Sequence, residues 1–291
     1  MKIIDTLLSL VKITLKSKFF LKEFHATEKS VVIVGNGPSA KGFLDNFKLD
    51  EQMPTMCVNM FAATPSFQNI KPKYYLMSDH AFLDFSEEVF NDATKLPRLK
   101  KQPDFLQIQE LINSVWKSIF SANWDLILFI PQIYKNTFIA NHALSNNIKI
   151  QFYNYTVVKG FTGFENFIYK KKFGSPQSQN VINSCIFQAI NLGFESIYLV
   201  GADNNFHMNM IVDDNNQLQF ADDHFYKVNK KTTPQLHADG RPVKMHEFFQ
   251  SLHKAFYAHH RLQQYAEYMG VKVYNATKGS FIDAYPRKEI Q

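Results

Sequence analysis

The chain has 291 residues, 45% of them hydrophobic and 15% aromatic, which is enough for the core of one large α/β domain or two small ones. Its formal net charge of +6 favours partners that carry phosphates or anionic surfaces; no RNP, zinc-finger or basic-helix pattern accompanies that charge, which sets nucleic acid aside. The two cysteines, Cys57 and Cys185, lie far apart without metal-ligand spacing, which excludes a disulfide framework and reads as buried free thiols in a reducing compartment.

Residues 1–28 read as a separate basic amphipathic helix. Ile4, Leu7, Leu8, Val11, Leu15 and Phe19 recur on one face, and Lys2, Asp5, Ser9, Lys12 and Lys16 form the opposite stripe. Through Lys29 there are six lysines against Asp5, Glu23 and Glu28, a net +3 that makes up half the excess of the whole chain. Lysines interrupt the apolar residues too often for a bilayer span. No small-residue cleavage site follows, as a signal peptide requires. Two readings stay open: a helix lying on an anionic membrane surface, or one packed on the domain or on another subunit.

Residues 29–291 read as one nucleotide-binding α/β unit. Ser30-Val-Val-Ile-Val34 has the β-branched run of a buried strand, and Gly35-Asn-Gly-Pro-Ser39 forces a tight turn into a helix starting at Pro38 or Ser39. A strand that turns through glycines into a helix presents backbone N–H groups where phosphates bind. The turn is neither a Walker A loop nor a full G-x-G-x-x-G, because Gly42 falls two residues late.

Further strands are expected at 55–59, 73–79, 125–130, 148–153, 196–203 and 271–274, and helices at 82–90, 105–119, 132–145, 180–192 and 245–269. This alternation predicts a mainly parallel sheet covered on both faces. Residues 154–179, with Gly160, Gly163, Gly174 and the Lys170–Lys172 run, read as a mobile basic loop. Residues 204–245 are polar and irregular and read as a lid. Residues 275–287 read as a short tail. Asp203 and Asn204 follow the strand at 196–203, where the ligand crevice of an open α/β sheet lies. Asp79 ends the strand at 73–79 on the same edge, with metal, ribose and structural roles all open.

Three stretches resemble the bacterial sialyltransferases of glycosyltransferase family forty-two and the related Maf and MptE-like proteins. They are Val34-Gly-Asn-Gly-Pro-Ser39, Cys57-Val-Asn-Met-Phe61 and Ala189-Ile-Asn-Leu-Gly-Phe-Glu-Ser-Ile-Tyr-Leu-Val-Gly-Ala-Asp203, with a weaker echo at Gly270–Ser280. The resemblance implies a Rossmann-like fold, a GT-A-like variant with a lid at 204–245. It also implies a metal-independent, inverting transfer of an acidic sugar from a CMP-activated donor to a surface-glycan or glycolipid acceptor. No cofactor is expected, because the CMP-sugar is itself the substrate.

On that reading Gly35, Asn36, Gly37, Pro38, Ser39 and Asn59 hold the nucleotide, and Ser175 or Ser178 touches its phosphate. Tyr226 is the candidate donor-contacting tyrosine. Counting back from the strand at 271–274 places His253 at the family's histidine base, although Lys254 stands where the family has a serine. His224, in the lid, is the second candidate. Asp203 orients the base or a substrate hydroxyl, with a helix N-cap as its structural alternative. The expected setting is the cytoplasmic face of the inner membrane, with the oligomeric state open. Two rivals remain: an MptE-like ATP-dependent pyrophosphokinase, with Asp79 and Asp203 on magnesium, and a non-catalytic assembly protein that keeps the nucleotide fold.

Overall fold

Strand β1 (Ser30–Val34) lies at the middle of the molecule, and Val31, Val32, Ile33 and Val34 are all completely buried. Each such side chain contributes roughly 1.5–3 kcal/mol of burial free energy. In a strand, alternate residues face opposite sides. Accordingly Val31 and Ile33 join one apolar cluster, and Val32 and Val34 join another across the sheet.

The computed structural model describes residues 2–22, 24–46, 53–79, 82–83, 105–136, 146–221, 232–237 and 240–290. Helix α1 spans Lys2–Lys16. After β1 come α2 (Ala40–Asn46), β2 (Thr55–Val58), a 3-10 turn (Asn59–Ala63), α3 (Ser66–Ile70) and β3 (Tyr74–Leu76). Then follow α4 (Phe105–Phe120), β4 (Leu126–Pro131), β5 (Ile148–Tyr153), α5 (Thr162–Lys170), α6 (Val181–Leu192) and β6 (Ser196–Val200). The chain continues through β7 (Met210–Val212), β8 (Leu218–Ala221), β9 (Thr232–Pro234), α7 (Met245–Met269) and β10 (Lys272–Asn275).

Seven strands form one sheet in the order β10-β6-β1-β2-β3-β4-β5, and every pairing in it is parallel. Helices cover both faces, giving a Rossmann-like α/β fold. β2 to β5 extend from β1 in one direction, and β6 and β10 extend in the other. The strand order therefore reverses between β1 and β6, and a crevice opens beyond their carboxyl ends.

Helix α6 explains the larger cluster. Every residue from Ile182 to Leu192 is buried, because α6 lies between the sheet and α7. The Asn180 side chain caps its start, accepting from the Asn183 N–H at 3.0 Å, and Gly193, at φ +94°, ends it in the left-handed region. On the other face Ile112, Val115, Trp116 and Ile119 of α4 pack against β2, β3 and β4.

Several expectations need correction. Residues 154–179 are not simply a loop, because α5 lies within them. Phe164, Phe167 and Ile168 follow helical spacing there, and the Glu165 carboxylate accepts from the Gly160 N–H at 2.9 Å. Part of 204–245 forms a small antiparallel sheet in the order β7-β8-β9. Residues 275–285 are a packed brace rather than a tail, with Thr277, Ser280, Ile282 and Tyr285 buried. Most of the helix expected at 82–90 and of that at 132–145 lies outside the described residues, although 82–83 are helical and Gln132–Tyr134 is a 3-10 turn. Both cysteines are free and buried.

Candidate functional site

The glycine turn after β1 and the loop after β6 cross so closely that side chains are excluded from both. The Gly35 N–H donates to the Val200 carbonyl at 2.8 Å, and the Gly37 N–H donates to the Gly201 carbonyl at 2.9 Å. A Cβ on Gly35 would lie 2.4 Å from the Gly201 oxygen, and one on Gly37 would lie 1.9 Å from Asp203 Oδ2. Gly201 sits at φ +65°, and a Cβ there would meet Ala40 and Gly35 at 2.7 Å. The glycines are thus required by the packing of one loop on the other. Two of the turn's N–H groups are spent on that packing, and Pro38 has none to offer.

Asp203 is tied into the same unit. Its Oδ2 accepts from the Ser39 hydroxyl at 2.7 Å, and its carbonyl accepts from the Phe281 N–H at 2.9 Å. It does not cap the 3-10 turn Phe206–Asn209, whose N-cap position is Asn205. The structure thus brings Gly35, Gly37, Ser39 and Asp203 together, with Pro38 in the same turn.

Between the two loops lies a cavity of about 190 Å³. Asn36, Gly37, Asn59, Asp79, Asn180, Asp203 and Asn204 are among its lining residues. The Asn36 amide donates to the Val58 carbonyl at 3.3 Å. Asn59 sits at φ +40°, a left-handed conformation that Asn tolerates. Its Oδ1 accepts from the Ser78 N–H at 3.2 Å, and its carbonyl accepts from the Tyr75 hydroxyl, so it joins the ends of β2 and β3. Asp79 is exposed at the rim. Its charge, added to burial as the larger cause, raises the pKa of the Tyr155 hydroxyl, which donates to the Ser178 carbonyl at 3.1 Å. Ser178 thus meets Tyr155 through its backbone.

A second cavity of about 250 Å³ adjoins the first and shares Asn180, Asn204 and Phe206 with it. Its other walls are mainly aromatic, with Phe220, Phe248 and Phe256. Asn204 stands between the two. It adopts φ +53° and is 6% exposed. Its Oδ1 lies 3.4 Å from Asn180 Nδ2, and its Nδ2 lies 3.4 Å from His259 Nε2. His259 Nδ1 is in turn 3.2 Å from the Tyr285 hydroxyl. Burial, helped by the neighbouring His260 charge, pushes the His259 pKa down to about 3, so the ring is neutral.

His253 is not brought to either cavity. It is exposed and stacks on Tyr257 with ring centroids 6.0 Å apart, while Ser251, Leu252, Ala255 and Phe256 of the same helix face the second cavity. His224 and Tyr226 lie outside the described residues. Sequence reasoning missed Asn180, Tyr155 and His259 as site neighbours. The signal for His259 was present: Ala255, Ala258, Leu262, Tyr265 and Ala266 mark a buried stripe on α7, and position 259 falls on it whereas 253 does not. Among the described residues no group of three or more His, Cys, Asp and Glu side chains could hold a metal ion.

No family model matches the chain, and no curated protein sequence matches it. Solved structures from Campylobacter jejuni are similar to it. The monofunctional alpha-2,3-sialyltransferase Cst-I is 13% identical, with 91% of this chain and 82% of that one covered at a TM-score of 0.40. The sialyltransferase CstII, solved with cytidine-5'-monophosphate, is 14% identical, with 90% and 86% covered at a TM-score of 0.41. An alpha-2,3-sialyltransferase in apo form is 14% identical, with 93% and 84% covered at a TM-score of 0.37. At this distance the likeness assigns neither family nor activity to this chain.

Proposed function

We propose that this chain is a glycosyltransferase that moves an acidic sugar, a sialic acid or related keto-acid, from a CMP-activated donor to a surface-glycan acceptor. The observation that carries the reading is the cavity at the reversal of strand order. It is lined by the amides of Asn36, Asn59, Asn180 and Asn204, with the Asp203 carboxylate held by Ser39. Amides offer both donors and acceptors, as a ribose and a pyrimidine edge require. The sequence motifs at 34–39 and 57–61, which resemble a CMP-sugar family, fall on this same cavity.

Transfer breaks the bond between the sugar's anomeric carbon and the phosphate oxygen of CMP and forms one to the acceptor oxygen. The acceptor proton passes to a base, and CMP leaves with the bonding electrons. The backbone of the turn Asn36–Ser39 is proposed to face the phosphate. Asp203 is proposed to orient a hydroxyl of donor or acceptor. His253 is exposed on α7 away from both cavities, and His224 is proposed as the base.

The test is calorimetric titration with CMP and then with ATP, each with and without magnesium. Metal-independent CMP binding, weakened at least tenfold (about 1.4 kcal/mol) by Asn36→Ala, is the expected result. Magnesium-dependent ATP binding without CMP binding, or silence with both nucleotides, overturns the reading. In a donor-turnover assay His224→Ala should lower kcat by about 10²–10⁴, and His253→Ala should leave it unchanged.

A further inference from the structure

Helix α1 is mounted on the domain the wrong way round for a packed helix. At about 100° per residue, Ile3, Ile4, Leu7, Leu8, Leu10, Val11 and Leu15 fall within one arc of about 160°, and all are 44–76% exposed. The side turned to the protein is instead centred on Ser9, which is 1% exposed, and Ile13 is the one apolar residue of the helix that is buried.

Polar pins hold this orientation. Ser9 Oγ donates to the Lys159 carbonyl at 2.7 Å and accepts from the Lys159 N–H at 2.9 Å. Thr6 Oγ1 accepts from the Phe161 N–H at 3.3 Å, and Ser17 Oγ donates to Thr156 Oγ1 at 2.8 Å. The Asn154 side chain bonds both the N–H and the carbonyl of Lys18. Gly160 leaves room for the contact, since a Cβ there would meet Thr6 Oγ1 at 2.2 Å. The apolar arc continues into Phe19 and the fully exposed Phe20, with the half-exposed Phe161 beside it.

We propose that this face of α1 binds an anionic bilayer surface. The occupant follows from the charge around the arc. Lys12 lies about 40° beyond its edge at Leu8 and Lys18 follows the end of the helix beside Phe19, while Lys2 and Lys16 stand on the opposite stripe; all four are exposed, and none of them pairs with a carboxylate among the described residues. Asp5 is the only carboxylate on the helix. An anionic headgroup layer supplies the missing charge, and lysine stems reach it while the apolar face enters the acyl boundary. The helix is about 22 Å long at 1.5 Å per residue, and no described helix is long and apolar enough to cross a membrane, so it lies in the interface plane. Its partner loop leaves the carboxyl end of β5, the same sheet edge that carries the β1/β6 cavity.

The experiment is co-sedimentation of the full chain with vesicles of phosphatidylcholine and phosphatidylglycerol, and with phosphatidylcholine alone. Binding to the mixed vesicles, at least tenfold weaker on phosphatidylcholine or in high salt, is expected. The double variant Leu7→Ser/Val11→Ser should lose at least tenfold in partitioning with an unchanged Tm, since both positions are exposed, and Lys12→Gln/Lys16→Gln should lose the salt-sensitive part. Failure of the native chain to bind mixed vesicles overturns the proposal, as does unchanged binding by Leu7→Ser/Val11→Ser. A dimer in sedimentation velocity that this variant converts to monomer, with no vesicle binding, overturns it in favour of a second copy.

Discussion

Replacing His259 by glutamine should remove a pH dependence from the stability of the fold. In the native state the imidazole is buried against Asn204 and Tyr285 and its pKa falls to about 3, against an ordinary value near 6.5. Between those values the unfolded chain binds a proton that the folded chain refuses. Stability therefore falls as pH drops from about 6.5 toward 3 and levels off below that. At pH 5 the gap of about 1.5 pH units costs about 2 kcal/mol relative to neutral pH. Glutamine keeps a donor and an acceptor for the two partners but does not titrate. Urea unfolding at pH 7 and pH 5 measures the effect, and the quantity that matters is the loss between those pH values in native protein minus the loss in His259→Gln. Groups that do not interact with His259 cancel in that difference. A difference near zero would mean that His259 is protonated in the fold or hydrated, and the neutral chain from Tyr285 to Asn204 would be refuted.

Two further substitutions probe the loops and the helix layer. Gly37→Ala places a methyl group 1.9 Å from Asp203 Oδ2 and 2.7 Å from the Gly201 oxygen. It should cost about 1–3 kcal/mol and abolish CMP binding, and a Tm and an affinity both unchanged would contradict the packing reason for that glycine. Arg261 of α7 bonds Glu165 and Asn166, each at 2.5 Å, and lies over the Tyr169 ring. Arg261→Met should cost about 3–5 kcal/mol by leaving Glu165 unpaired, with much of that recovered in Arg261→Met/Glu165→Gln. Equal stabilities of the single and double variants would show that the pair is not coupled.

What was legible in the sequence was whatever rests on local pattern. The β-branched run before Gly35 and the run Ser196–Val200 form β1 and β6, and α7 spans Met245–Met269 as its composition suggests. The crevice residues Asn36, Asp203 and Asn204 were legible because strand ends in a parallel sheet share one edge. What depended on distant partners was not. Helix α5 was hidden behind Gly160, Gly163 and a lysine run, although its support comes from Arg261, 96 residues away from Glu165. His253 and His259 look alike in a histidine-rich segment, and only the buried stripe of α7 separates them. For α1 the amphipathic pattern was plain, but which face meets the domain depends on Lys159, Thr156 and Asn154, more than a hundred residues downstream.

The brace at 275–285 has a consequence for how the protein is made. Thr277 Oγ1 accepts from the Ala202 N–H and donates to the Leu199 carbonyl, Ser280 Oγ donates to the Ala202 carbonyl, and Tyr285 meets His259. The loop that carries Asp203 and Asn204 is thus held from above by residues translated after every strand of the sheet. At the ribosome α1 emerges long before its own site can close. The cavity between the two loops is therefore completed only once residues 277–285 have followed β10, long after α1 has been synthesised.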